Sequence, residues 1–173
     1  VVALALSAML CIGAVGCGKD VSSSADAAKT EIVYASTKDI MDINPHLYTG
    51  EMAAQNMVFE SLVTINNDGE IEPCLATSWG ISEDGLEYTF KLREDVTFTD
   101  EEKFNADAVK QNFDAVLSNF DRHAWLELVN QIDKTEVVDE YTFKITLKKA
   151  YYPSLTELAL TRPFRMISPK CFI

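Results

Sequence analysis

Two segments combine arginine with aromatic side chains, a pairing that could hold a small anionic ligand. Residues 122–128 read RHAWLEL, so Arg122 lies three positions before Trp125. A guanidinium is permanently charged and matches the geometry of a carboxylate, while a flat indole can cover a bound group. The spacing of three predicts that both side chains lie near one face of a short helix. Taken alone, such a pair is more often a plain surface contact.

The second segment, residues 151–165, reads YYPSLTELALTRPFR. Arg162 precedes Pro163, which disfavours helical backbone at the arginine. Arg162 is therefore predicted to be extended and able to project into a cleft. Aromatic crowding of this kind is also typical of core packing, so the segment does not by itself establish a site.

Other chemistries have little support in the sequence. Its only histidines are His46 and His123, both interpreted as structural contacts, and it contains no G-x-S-x-G motif, no CxxC pair and no phosphate-binding glycine loop. Neighbouring Glu101 and Glu102 are interpreted as solvated charges. No nucleophile and base can be paired, so we predict that the protein is not an enzyme.

Composition limits the partners. The formal net charge is −12, from 15 basic and 27 acidic residues. A nucleic acid needs a basic face, so it is excluded as a partner. The chain is 47% hydrophobic, which is enough to form a core.

The amino-terminal region predicts export. Residues 1–16 are apolar or small and uncharged, as in the core of a secretion signal whose start is truncated. Cys17 follows Ala14, Val15 and Gly16, a pattern that resembles a lipobox, so Cys17 is the predicted lipidation site. Residues 17–29 are predicted to be a lipid-anchored flexible linker. We therefore expect an extracytoplasmic protein, anchored to the cell membrane or periplasmic.

The remaining residues, 30–173, predict a mixed α/β (α+β) domain. Cys74 and Cys171 could form a disulfide outside the cytoplasm, although two free thiols are the preferred interpretation. Hydrophobic periodicity predicts helices and strands in several places. The predicted helices cover residues 50–61 with Thr49 as cap, 106–120 with Asn105 as cap, 123–131 and 154–160. The predicted strands cover residues 31–35, 62–65, 87–92 and 140–145, the last two in one sheet.

Several motifs resemble a known family. Residues 82–93 (SEDGLEYTFKLR), 96–98 (VTF) and 104–109 (FNADAV) resemble the solute-binding proteins of peptide/nickel ABC importers, family 5. Three narrower motifs resemble its nickel-binding branch. They are residues 44–49 (NPHLYT), residues 122–128, and residues 150–153 (AYYP) with 162–165 (RPFR).

The resemblance implies a two-lobed Venus-flytrap fold, with this chain holding the amino-terminal part and the second lobe lying outside it. It also implies a ligand-binding set. The implied residues are Tyr48, Thr49, Met52, Arg122, Trp125 and Arg162. In this set the aromatic and apolar side chains line a pocket, and the arginines bind carboxylates of a chelator. No metal ligand is assigned to this chain, because it lacks a cluster of histidine or cysteine.

The expected function is therefore capture of nickel, as a small carboxylate-bearing chelate, for delivery to the permease and ATPase subunits of an ABC importer. Two alternatives remain open. A dipeptide- or oligopeptide-binding protein would use the same arginines. A surface lipoprotein that acts as a scaffold would have no enclosed pocket and no ligand.

Overall fold

The computed structural model describes residues 33–172, which belong to two units that divide after Ser36. In the first unit, residues 33–36 form no regular element, and the side chains of Val33 and Tyr34 are 83% and 51% exposed. The predicted buried strand is therefore wrong for residues 33–35. No described strand pairs with them, and an unpaired strand leaves its backbone groups without a ladder. The predicted signal peptide, Cys17 and the linker lie outside the described residues.

The second unit is built on a four-stranded antiparallel sheet in the order β3-β4-β6-β5, with a separate two-stranded sheet, β1-β2. The strands are β1 Val63–Ile65, β2 Ile71–Pro73, β3 Ala76–Ile81, β4 Glu87–Leu92, β5 Ile132–Asp139 and β6 Thr142–Leu147. β4 and β6 are neighbours in register, with Phe90 opposite Phe143 and Tyr88 opposite Ile145. The prediction that these two strands share a sheet is confirmed.

Five α-helices and one 3-10 helix are present in the described residues. They are α1 Met52–Val58, α2 Ala106–Ser118, α3 Phe120–His123, α4 Glu127–Gln131, α5 Ser154–Leu158 and the 3-10 helix Pro169–Cys171. None of these helices is both long and apolar enough to cross a bilayer. Cys74 and Cys171 are free thiols, as preferred.

Helix α2 forms as its sequence predicts. The Asn105 side chain accepts a hydrogen bond from the Ala108 amide at 2.9 Å and caps the helix. Its apolar stripe is buried, with Phe113 packed on Phe143 of β6 at 5.0 Å between ring centroids. The stripe ends earlier than predicted, because Phe120 lies in α3 and is 43% exposed.

The start of α1 differs from its prediction. Glu51, and not Thr49, is the cap, because its carboxylate accepts hydrogen bonds from the amides of Ala53 and Ala54 at 3.0 and 3.2 Å. A carboxylate at this position also interacts favourably with the helix dipole. The helix begins at Met52, and it ends at Val58, three residues before the predicted end.

The predicted helix over residues 123–131 is two short helices, α3 and α4, with Trp125 between them. The Asn130 side chain donates to the carbonyls of Ala124 and Leu126 at 3.0 and 3.1 Å, which holds the connection open. Glu157 of α5 accepts from the Leu128 amide at 2.9 Å and supports the start of α4. Arg122 and Trp125 therefore do not share a helical face, and that prediction is wrong.

Candidate ligand-binding site

Tyr48 is the centre of a polar and aromatic cluster that joins three distant stretches of sequence. The Trp125 indole Nε1 donates to the Tyr48 hydroxyl at 2.9 Å, and that hydroxyl lies 2.8 Å from His123 Nδ1. The Arg162 guanidinium lies 5.9 Å from the centre of the Tyr48 ring, within cation–π range. We call these four residues the Tyr48 cluster.

The members of the cluster differ in solvent exposure, from the buried interior to the surface. His123 is fully buried and Arg162 is 9% exposed, whereas Tyr48 is half-buried and Trp125 is 62% exposed. A positive charge thus lies beneath one aromatic ring while a second ring offers a flat surface to solvent. This arrangement can receive an anionic group and cover it with apolar area.

Helix α1 and the loop that precedes it hold Arg162 in place. Its Nε donates to Gln55 Oε1 at 2.6 Å, and its Nη2 donates to the carbonyl of Gly50. Gln55 is itself buried and donates to the carbonyl of Asn44 at 3.1 Å. Arg162 was predicted to project into a cleft, but its side chain packs against α1, and its peptide bond to Pro163 is cis. Neither of its two hydrogen bonds uses Nη1.

The loop before α1 sets the position of Tyr48. Side-chain oxygens of Asp42 and Asn44 accept from the amides two residues ahead, at 2.8 and 2.9 Å, which forms successive Asx turns. At Gly50 an added Cβ would lie 1.6 Å from the carbonyl oxygen of Asp42, so only glycine fits. The same short loop therefore delivers both the Tyr48 ring and the Gly50 carbonyl that Arg162 uses.

Electrostatics around Tyr48 reflects burial and nearby arginines. Burial raises the pKa of Tyr48, and the hydrogen bond from Trp125 and the charges of Arg162 and Arg122 oppose that rise. Burial lowers the pKa of His123, and the charge of Arg122 lowers it further. Arg122 is exposed but is close enough to act on both side chains.

The remaining residues of the implied set are less closely tied to the cluster. Thr49 and Met52 are exposed, Met52 by 51%, and no hydrogen bond or ring contact joins them to Tyr48. Arg122 borders an open surface depression of about 340 Å³ at the end of α2. The geometry therefore brings together Tyr48, Trp125 and Arg162, with Arg122 at the edge.

Two residues of the site had little signal in the sequence. Gln55 was not identified at all, and its only mark is a polar type within a short apolar helix. His123 was interpreted as structural, and it is fully buried and bonded to Tyr48. Across residues 33–172 no group of three or more histidine, cysteine, aspartate or glutamate side chains could hold a metal ion.

His46 lies in the same loop, buried and stacked on Phe172 with ring centroids 5.8 Å apart. Burial, the largest cause, and the nearby His123 lower the pKa of His46 to about 4. Because the unfolded chain binds this proton near pH 6.5 and the folded chain does not, stability falls as the pH drops below about 6.5. The folded state should lose about 2.5 kcal/mol through His46 between neutral pH and pH of about 4.5.

We expect His46→Gln to remove this part of the acid sensitivity, because glutamine does not titrate. Urea unfolding of both proteins at neutral and acidic pH measures it. Carboxylates contribute equally to the two curves, so the difference between them reports His46 alone. An equal fall in both proteins would contradict the expectation.

Comparison with known proteins gives concordant matches. Residues 70–169 match the family described as "Bacterial extracellular solute-binding proteins, family 5 Middle". The nickel-binding periplasmic protein of Escherichia coli strain K12 is 52% identical over 147 residues, which cover 84% of this chain and 28% of that protein.

Solved structures agree with these matches. NikA from Brucella suis in complex with Fe(III)-EDTA is 57% identical, with a TM-score of 0.77 over 78% of this chain and 27% of that one. NikZ from Campylobacter jejuni in complex with Ni(L-His) is 33% identical, with a TM-score of 0.67 over 79% of this chain and 27% of that one. The chain thus spans only 27–28% of the length of these relatives.

The mixed helix and strand arrangement matches part of the periplasmic-binding fold of NikA-like proteins, which confirms the predicted fold class. The family is described as extracellular and solute-binding, in agreement with the predicted location outside the cytoplasm and with the prediction of a solute-binding protein. On these matches and its own architecture, the chain belongs to the bacterial extracellular solute-binding proteins of family 5.

Proposed function

We propose that the complete gene product captures nickel as a small carboxylate-bearing chelate outside the cytoplasm and delivers it to an ABC importer. The observation that carries this proposal is the Tyr48 cluster, in which Tyr48, Trp125 and Arg162 meet at one place. Arg162 supplies positive charge in a partly buried setting, where it acts more strongly on an anion than it would in water. Trp125 supplies exposed flat area for the organic part.

A chelate suits this site better than a bare ion. The described residues offer no set of metal ligands, so the organic molecule would satisfy the metal's coordination. The relatives support this choice, since one is named for nickel binding and two structures hold metal complexes of EDTA and L-histidine. Both of those chelators carry carboxylates that an arginine can bind.

Several finer points belong to the same proposal. Arg122, Thr49 and Met52 would extend the ligand-binding surface around the Tyr48 cluster. Lipidation at Cys17 would hold the protein at the membrane, where the permease and ATPase subunits are its partners.

Thermal melting of the complete gene product tests the proposal. A ligand that binds only the folded state stabilises it and so raises the melting temperature. At a free ligand concentration about 100 times the dissociation constant, this stabilisation is about 2.7 kcal/mol. We expect a clear rise with nickel plus histidine and a smaller one with nickel alone. A rise with dipeptides and none with the nickel chelate would favour the peptide-binding alternative. No rise with any of these ligands would favour the scaffold alternative.

Trp125→Ala is expected to reduce the nickel–histidine shift without destabilising the free protein. The indole is 62% exposed, so its packing contributes little in the absence of ligand. Loss of its aromatic contact should weaken binding roughly tenfold, about 1.4 kcal/mol. Isothermal titration at fixed pH measures the affinity.

Tyr152→Ala is the matched control for this variant, because Tyr152 is a fully exposed aromatic residue outside the Tyr48 cluster. It should bind the nickel chelate as the unaltered protein does. Equal losses in both variants would show that the effect of Trp125→Ala is not specific to the cluster.

A further inference from the structure

The hydrogen bonds of the Tyr48 cluster have a direction that the side-chain chemistry determines. An indole Nε1 can only donate, so the Tyr48 oxygen accepts from Trp125 at 2.9 Å. The hydroxyl still has its own proton to donate, and its other hydrogen-bond partner among the described residues is His123 Nδ1 at 2.8 Å. A chain running from Trp125 through Tyr48 to His123 satisfies every one of these groups. It requires a neutral imidazole that carries its proton on Nε2.

Among the described residues, the bond from Tyr48 to Nδ1 is the only hydrogen bond that the His123 ring makes. His123 is fully buried, yet its Nε2 has no hydrogen-bond partner among the described residues. An unsatisfied buried N–H is destabilising, so packing alone gives no reason for an imidazole here. An apolar side chain of similar size would suit a purely structural position better.

We propose that His123 is a positioning residue whose Nδ1 accepts a hydrogen bond from the Tyr48 hydroxyl and thereby fixes the Tyr48 and Trp125 rings in their ligand-binding arrangement. The inference rests on the proposed function for its ligand, but not for its hydrogen-bond direction. His123 itself touches no ligand, and it acts through the two rings.

Protonation of His123 would reverse this bond. Nδ1 would become a donor, so the Tyr48 oxygen would face two donors and its own proton would lose its acceptor. The charge of Arg122, on its own helix, opposes protonation of His123. The other charged or titratable groups nearby are Arg162, across the Tyr48 ring, and His46, which stays neutral until its pKa of about 4 is reached. Burial and the Arg122 charge hold the pKa of His123 below its usual value. The arrangement is therefore intact at neutral pH and lost in acid.

Nuclear magnetic resonance of ¹⁵N-labelled protein tests the bond direction without any ligand. We expect His123 to show the Nε2–H tautomer at neutral pH. The indole N–H signal of Trp125, assigned with Trp125→Phe, should shift in His123→Leu and stay near its original position in His123→Asn. Asparagine places an acceptor oxygen where Nδ1 lies, whereas leucine fills the space without one. An Nδ1–H tautomer, or an indole signal unchanged in His123→Leu, would overturn the proposal.

Nickel–histidine titrations of the complete gene product test the consequence for binding. His123→Asn should bind within about twofold of the unaltered protein at neutral pH, and His123→Leu roughly tenfold more weakly, as should Tyr48→Phe. At pH values below about 6.5, where the lowered pKa of His123 places its protonation, the unaltered protein should lose more affinity than His123→Asn. The acid sensitivity of the chelate itself cancels in the ratio of the two proteins at each pH.

The two experiments separate the possible failures. If the unaltered protein does not bind nickel–histidine, the proposed function fails, while the tautomer and the indole signal still decide the role of His123. If His123→Asn loses as much affinity in acid as the unaltered protein, or His123→Leu binds normally with an unchanged melting temperature, the positioning role is wrong.

Discussion

Arg162→Ala should abolish the rise in melting temperature produced by the nickel chelate. The guanidinium supplies the buried positive charge of the Tyr48 cluster, and it lies 5.9 Å from the Tyr48 ring. Its loss removes a charge-assisted contact to a ligand carboxylate in a partly desolvated site, so affinity should fall by at least about 100-fold, about 2.7 kcal/mol. Titration calorimetry with nickel–histidine measures the change.

The same substitution should also destabilise the free protein. Without the arginine, the buried Gln55 Oε1 loses the Arg162 Nε donor that lies 2.6 Å away. The Gly50 carbonyl loses the Arg162 Nη2 donor. Unsatisfied buried acceptors of this kind, after loss of a charged donor, cost about 3 kcal/mol together. Urea unfolding of the free protein gives this value independently of binding. Arg162→Lys, which keeps the charge but not the planar fork, should lie between the two proteins in both measurements.

Arg165→Ala is the matched control, because Arg165 anchors the same segment without entering the cluster. Its guanidinium donates to the carbonyl of Phe59 and to Asn56 Oδ1, both at 2.6 Å. We expect a comparable loss of stability with the ligand response retained. If both variants lose the response equally, the segment's packing, and not the charge of Arg162, is responsible for binding.

The elements that the sequence predicts best are those whose periodicity and packing agree. In β4 the alternation of Tyr88, Phe90 and Leu92 matches a strand with one face on the core, and all three are buried. In α2 the Asn105 cap and the Val109, Phe113 stripe point to the same helix. Local propensity and tertiary burial favour the same conformation there, so no partner is needed to identify it.

Tertiary hydrogen bonds decide the elements that were predicted less well. Residues 123–131 have helical composition, but Asn130 bonds to two carbonyls of the preceding connection and Glu157 supports a new helix start. A capping residue is equally hard to choose when two polar candidates lie only two positions apart, and Glu51, not Thr49, reaches the free amides at the start of the helix. No local pattern shows which of two neighbours has the better reach.

The site itself was predicted as a set of residues but not as a bonded arrangement. Resemblance to a family indicated Tyr48, Trp125 and Arg162, and all three meet. The contacts that hold them come from Gln55 and His123, whose roles depend on partners 107 and 75 residues away. Such separations leave no periodic signal, so the sequence indicates the proposed ligand-binding residues more clearly than the residues that support them.

Phe113→Ala should cause the largest loss of folding stability, and should also weaken ligand binding at a distance. Phe113 is 1% exposed and packs on Phe143 of β6 at 5.0 Å and on Phe164 at 5.3 Å. Removing a ring from a close-packed site leaves a cavity and costs about 4 kcal/mol. Phe164 lies two residues after Arg162, so the cavity opens beside the segment that carries the buried charge.

Helix α2 also holds the segment that contains Arg162 and Phe164 through a second contact. Asn112, adjacent to Phe113, accepts from the Ile167 amide at 3.0 Å and donates to its carbonyl at 2.9 Å. Because this pair remains in Phe113→Ala, the segment should loosen around Phe164 and not detach. We therefore expect nickel–histidine affinity to fall by only about threefold, far less than in Arg162→Ala.

Urea unfolding and calorimetry of three variants test this coupling. Phe113→Leu keeps most of the volume and should lose about 1.5 kcal/mol, so it stays folded if the alanine variant does not. Phe120→Ala, at a 43% exposed position on the neighbouring helix, should lose less than about 1 kcal/mol and bind normally. If Phe113→Leu loses stability while its affinity is the same as that of Phe120→Ala, then Asn112 alone positions the Arg162 segment, and the aromatic core contributes to folding but not to the site.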